Sequence, residues 1–212
     1  MRDKPNMPLL LGLMVLFTAM RWPGLWPDEL KNFSPVYAIF FCAGVYFRGS
    51  CAWLVPVTLI FISDLAINHL YYGQMGYNLV GSYMAHNYAL LMLLCVLGWA
   101  VRKKEKPAWL IGGGFVGSCI FYLASNTLAW LGDLAYPKTL AGLVQAFTTG
   151  VPGIYPPAWM FFTNTAISGA LFTAVIVYAI KYYGAPQPTA LMENRVGVKS
   201  EKVDCVNDQA VP

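Results

Sequence analysis

The sequence predicts an all-α membrane protein: a single domain of six transmembrane helices with both termini in the cytoplasm. Three observations predict it. The first is composition. Of 212 residues, 58% are hydrophobic and only 11% charged, and the mean hydropathy is +0.52. Soluble domains carry about a quarter charged residues, and one soluble core of this length cannot bury so much apolar surface beneath a charged shell. The second is that apolar runs recur along most of the chain. The third is that the basic residues gather on one side of the resulting alternation. The same composition excludes a disordered chain and a disulfide-rich module. The five cysteines (Cys42, Cys51, Cys95, Cys119 and Cys205) show no CxxC or metal-type spacing and read mainly as small apolar residues.

A spanning helix needs about 20 apolar residues to cross about 30 Å of hydrocarbon. The runs lie at about Pro8 to Met20, Pro35 to Phe47, Cys51 to Ile67, Met84 to Val101, Ala108 to Leu131 and Ala158 to Tyr183. The first two are short and require tilt or local thinning of the bilayer. Arg2 and Lys4 ahead of the first run also fit a cleaved signal peptide. However, Thr18-Ala19-Met20 is a poor small-residue cleavage site, and Pro5 and Pro8 fall unusually early, so retention of the helix is favoured. Residues 184–212 lose periodicity and gather Pro, Lys, Glu and Asp, which reads as a flexible cytoplasmic tail following a transmembrane domain over residues 1–183.

Six spans divide the fourteen Lys and Arg unequally. One side receives Arg2, Lys4, Arg48, Arg102, Lys103, Lys104, Lys106, Lys181, Arg195, Lys199 and Lys202, the other only Arg21, Lys31 and Lys138. Loops rich in Lys and Arg stay in the cytoplasm, which fixes the orientation. The net charge of +4 therefore concerns membrane topology and implies no nucleic-acid partner. Gly112-Gly113-Gly114 lies inside a span and lacks the following Lys-Ser/Thr of a phosphate-binding loop.

Polar groups within spans are costly and mark candidate sites. Asp64 falls about 20 Å along the third run from its cytoplasmic start, at 1.5 Å per residue. By the same arithmetic Asn126 and Asn164 also fall in the outer half, and His86 and His69 stand near the outer ends of their runs. The inner half is almost wholly apolar. Helical spacing puts Asn126, Trp130 and Asp133 on one face, Asp64 with Asn68 on another, Tyr83 with His86 and Asn87, and Asn164 with Ser168. The outer loops add Trp22, Trp26, Tyr71, Tyr72, Tyr77, Tyr136 and Tyr155. Such a set suits a pocket, open to the outside, for a small organic ligand with flat apolar parts and a few polar handles. Asp64, Asn126, Trp130, Asn164, Tyr83 and His86 are the candidate substrate-binding residues. Asp64 would meet a cation or a hydrogen-bond donor, the asparagines would orient the ligand, and Trp130 would stack on it.

Plainer readings remain open beside these. Interfacial Trp and Tyr form belts in most membrane proteins, the asparagines could tie helices together, and Asp133 fits the headgroup region. No catalytic residues, cofactor or metal site is expected. The two histidines have no third ligand in the sequence, although either could approach the cobalt of a corrinoid. Gly113 with Gly117, and Ser34, Ala38 and Cys42, form small-residue stripes suited to close helix packing, within the chain or against a partner.

Five stretches carry a resemblance: "NFSPVYAIFFCAGVYF" (Asn32 to Phe47), "WLVPVTLIFISDL" (Trp53 to Leu65), "FYLASNTLAWL" (Phe121 to Leu131), "YPKTLAGLVQAFTTGVP" (Tyr136 to Pro152) and "FFTNTAISGALF" (Phe161 to Phe172). Together they resemble a bacterial family of uncharacterised six-helix proteins proposed to act in transport. That family is itself similar, at the level of fold, to the substrate-binding S-components of energy-coupling factor (ECF) vitamin transporters. The resemblance implies a protein of the bacterial inner membrane that captures a vitamin or similar micronutrient under its outer loops. A separate transmembrane coupling subunit and ATPase subunits would drive uptake. The first helix reads Leu9-Leu10-Leu11-Gly12-Leu13-Met14 where S-components commonly show Ala-x-x-x-Ala. This leaves open whether the chain works alone or docks through another surface, such as the Ser34/Ala38/Cys42 stripe. The expected function is thus substrate binding for micronutrient uptake, not catalysis. The alternatives are a membrane assembly or interaction protein and a lipid-acting membrane enzyme.

Overall fold

A computed structural model describes residues 5–76, 78–104 and 106–183; the expected tail (184–212), Tyr77, Arg2 and Lys4 lie outside the described residues. Within them the chain is helical: α1 Met7–Ala19, α2 Val36–Tyr46, α3 Cys51–Ile67, α4 Ser82–Val101, α5 Pro107–Gly132, α6 Leu140–Phe147 and α7 Ala158–Tyr183. Six of these match the expected runs to within two residues at either end. The seventh, α6, falls where a loop was expected. The Thr139 hydroxyl accepts the Gly142 amide at 3.2 Å and so caps its first turn.

Local chemistry sets the helix ends. The Asn6 side chain caps α1 by accepting the Leu9 amide at 3.2 Å, with Pro8 in the first turn. Pro107 opens α5, where a missing N–H costs nothing. Beyond Ile67, α3 widens into a π turn over Asn68–Tyr72 and tightens into a 3₁₀ turn over Gly73–Met75. Helix widening of this kind concentrates at functional sites.

Four stretches are long and apolar enough to cross a membrane: Cys51–Met75, Tyr83–Val101, Pro107–Gly132 and Ala158–Tyr183. Their outward surfaces carry exposed Trp53, Ile62, Val96, Trp109, Val116 and Leu171, the pattern of a helix that faces lipid. The protein is a helical membrane protein. α1 and α2, with 13 and 11 residues, are shorter than a full crossing; α2 is only about 17 Å long.

The position of α2 explains how so short a helix is accommodated. Every residue from Val36 to Val45 is buried, because α4, α7, α3, α5 and α1 pack around it. Hydrophobic transfer does not drive helices together inside lipid, so close packing must do so. Glycine supplies the closeness. A Cβ on Gly44 would overlap the Cys95 carbonyl oxygen, and one on Gly98 would overlap that of Phe41, so α2 and α4 meet backbone to backbone. The Cys95 thiol adds a hydrogen bond to the Phe40 carbonyl at 3.1 Å. α5 and α7 also meet through glycines, with Gly114 against the side chain of Thr173 and Gly169 against that of Ser118. The small-residue stripes pack inside this chain: Ala38 and Cys42 are fully buried, Gly113 faces Phe41 and Gly117 faces Leu94.

The helices alternate in direction. α1, α3 and α5 run toward the end that holds Arg21, Asp64 and Ser125, and α2, α4 and α7 start there. Arg48, Arg102, Lys103, Lys104 and Lys181 follow or finish the returning helices and Lys106 precedes α5, so all stand toward the opposite end.

Candidate functional site

Where α1, α3 and α5 end and α2, α4 and α7 begin, the bundle holds a cavity of about 780 Å³. This is within the usual size range of small-molecule sites. Ile60, Leu91 and Phe121 supply apolar lining from three long helices, and the α1–α2 connection contributes Pro23, Trp26 to Asp28 and Leu30 to Ser34. That connection is strapped down. The Trp26 indole N–H donates to the Met20 carbonyl at 2.7 Å, and its ring lies 5.4 Å from Phe33, which lies 5.6 Å from Phe172 of α7.

The polar centre of the lining is an ion pair. Arg21, just beyond α1, donates from Nη2 to Asp64 Oδ1 of α3 at 2.7 Å and from Nη1 to Ser63 Oγ at 2.9 Å. The Tyr88 hydroxyl of α4 donates to Asp64 Oδ2 at 2.6 Å. Three helices are joined through one carboxylate. Its side chain is 20% exposed and that of Arg21 17%, so water screens the pair far less than it would a surface pair. One turn beyond Asp64, Asn68 Nδ2 donates to the Leu79 carbonyl at 3.0 Å and to the Tyr83 hydroxyl at 3.1 Å. The π turn thus directs an amide across the mouth of the α3–α4 connection.

The sequence candidates separate on this geometry. Asp64 and Tyr83 line the cavity, while Asn126, Trp130, Asn164 and His86 are not among its lining residues. Asn126 Nδ2 donates to the Tyr122 carbonyl within α5. The Trp130 indole donates to the Pro137 carbonyl at 2.8 Å and ties the end of α5 to the following loop. Asn164 acts on the cavity indirectly. It is buried and donates to the carbonyls of Glu29 at 2.6 Å and Lys31 at 2.9 Å, which fixes the connection that covers the cavity. His86 and His69 are exposed and absent from the lining, so neither is placed to meet a corrinoid there. Among the described residues, no three His, Cys, Asp or Glu side chains converge as a metal site.

Sequence reasoning passed over Arg21 and Tyr88. Arg21 entered only as an outer loop charge. Its usable signal was position, because an arginine at the mouth of an apolar helix calls for an acid, and Asp64 is the one acid inside an apolar run on that side. Tyr88 had no signal beyond its distance of one turn from Met84.

Fold and cavity together define a helical membrane protein with a polar, aromatic pocket at one end. The chain belongs to a family described as a family of unknown function, DUF6580, whose model matches residues 1–190. No curated protein and no solved structure matches it.

Proposed function

We propose that this protein is the substrate-capturing subunit of an importer for a small organic micronutrient. It would cross the bacterial inner membrane six times, with both termini in the cytoplasm. The cavity carries the reading: about 780 Å³, lined by aromatic rings and an ordered Arg21–Asp64–Tyr88 group, at the end of the bundle opposite Arg48, Arg102, Lys103, Lys104, Lys106 and Lys181. Basic ends stay cytoplasmic, so the pocket faces the outside, where a nutrient arrives. Although α1 and α2 are short, their alternation with the long helices supports six crossings, and the packing around α2 relieves it of matching the bilayer alone. The role is binding and reorientation, not chemistry on the ligand. A coupling subunit and ATPase subunits in separate chains would supply the energy.

The test is native mass spectrometry of protein purified gently from its own membrane, with analysis of the small molecules it releases. A stoichiometric compound whose binding weakens at least about tenfold in Asp64→Ala, with the fold intact, supports the reading. A protein that releases nothing and binds none of a broad micronutrient panel overturns it and favours an assembly role.

A further inference from the structure

On the reading of this cavity as a capture site, we propose that its ligand is an uncharged, flat heterocycle whose ring carbonyl accepts hydrogen bonds from Arg21. Guanidinium carries five N–H donors in a rigid fork. Arg21 gives one to Ser63 and one to Asp64, which leaves three without an acceptor among the described residues, on a side chain that lines the cavity. A ligand that displaces water from the cavity must supply an acceptor for these donors.

Asp64 is differently placed. One carboxylate oxygen takes Arg21 and the other takes Tyr88. Its work is to hold the guanidinium in position, so it is poorly placed to serve as counter-ion for a cationic ligand. The site therefore presents donors.

Net charge decides which acceptor fits. The charged residues of the lining are Arg21, Lys31, Asp28 and Asp64, and they pair as Arg21 with Asp64 and Lys31 with Asp28. The lining is neutral. An anion docked on Arg21 would meet the Asp64 carboxylate beside it, whose repulsion offsets much of the attraction, while the ligand would still lose its own hydration. A carbonyl takes the same donors without that loss.

The body of the ligand follows from the walls. Phe33, Tyr37, Tyr71 and Phe121 supply rings from four elements, and flat apolar surfaces stack on rings at little cost. Asn87 supplies a second handle. It lines the cavity on α4 and has no hydrogen-bond partner among the described residues, so its amide can both donate and accept.

The test uses three probes with one tricyclic body: acridone (neutral, with a ring carbonyl), acridine-9-carboxylate (anionic) and N-methylacridinium (cationic). Each is titrated by fluorescence into the full chain in lipid nanodiscs. The expected result is that acridone binds at least about tenfold tighter than either ion. Arg21→Lys should then lose about tenfold in acridone affinity, because it keeps the charge and loses the fork. Asn87→Ala, on an exposed residue with no partner to orphan, should lose several-fold with an unchanged thermal midpoint. This second variant decides the matter if Arg21→Lys does not fold. Equal or tighter binding of an ion, no binding of acridone, or an acridone affinity indifferent to both substitutions overturns the inference. The capture reading is judged separately, by whether the purified protein releases a small molecule at all.

Discussion

Asp64 joins α1, α3 and α4 through Arg21 and Tyr88, so at the scale of residues its removal affects stability as well as binding. Arg21→Ala leaves a carboxylate largely shielded from water without its counter-ion, an error that costs about 3 kcal/mol in buried pairs. The double substitution Arg21→Ala/Asp64→Ala removes both charges and is expected to recover part of that loss. Thermal unfolding of the two single variants and the double variant measures the coupling, and strict additivity would show the pair to be without weight. Asn164 has a separate role. Asn164→Ala deletes two hydrogen bonds and orphans the carbonyls of Glu29 and Lys31, for about 1–3 kcal/mol. The loss is local. Hydrogen exchange should speed at the Leu30, Lys31 and Phe33 amides, which close the turns of that connection, while the α7 amides keep their protection. Sequence reasoning found both residues from their polarity inside apolar runs. It could not tell the one that lines the cavity from the one that braces the connection over it, because spacing fixes which residues share a face and not which neighbour that face meets. Asn126 and Trp130 show the same limit: one face of α5, correctly read, and turned elsewhere.

Among the elements, the α2–α4 contact is the most sensitive, since backbone meets backbone at Gly44 and Gly98. Ala at either position must push two main chains apart, and overpacking of this kind costs about 1–3 kcal/mol or more. Gly112→Ala is the matched control, because nothing stands within 4 Å of its added methyl and alanine is the better helix former. Thermal midpoints of the three variants should separate clearly, with Gly112→Ala at or above the parent. The helices themselves were readable from hydropathy to within two residues at each end. The closest contacts were less so. Gly113 and Gly117 have the expected spacing yet face the side chains of Phe41 and Leu94, whereas Gly44 and Gly98 lie against the main chain of Cys95 and Phe41 on another helix, which no spacing within one helix can show. α6 was not expected because its eight residues are amphipathic and too short for a membrane span, so hydropathy alone does not mark them.

At the scale of the whole molecule, the alternation of helices predicts which end faces which compartment. In a variant with its own cysteines replaced, Leu134→Cys should react with a membrane-impermeant thiol reagent in intact cells; Leu134 is 96% exposed at the cavity end. Lys103→Cys, an exposed position at the basic end, should react only after lysis. The reverse pattern would turn the cavity toward the cytoplasm and remove the capture proposal. Composition and charge asymmetry were sufficient to anticipate the class of molecule. The cavity itself is assembled from five helices and a connection far apart in the chain, and only the fold brings them together.

The burial of α2 also bears on how the chain is made. A helix of 11 residues offers the insertion machinery too little apolar length to partition into lipid by itself, since about 20 are needed. When α2 is synthesised, α4, α5 and α7, which will surround it, do not yet exist. On the proposed six-span topology, the α1–α2 pair is expected to settle in place only once these later helices enclose it. Truncation before α4 should yield a product that fails to integrate and is degraded, whereas truncation after α7 should leave a chain that matures.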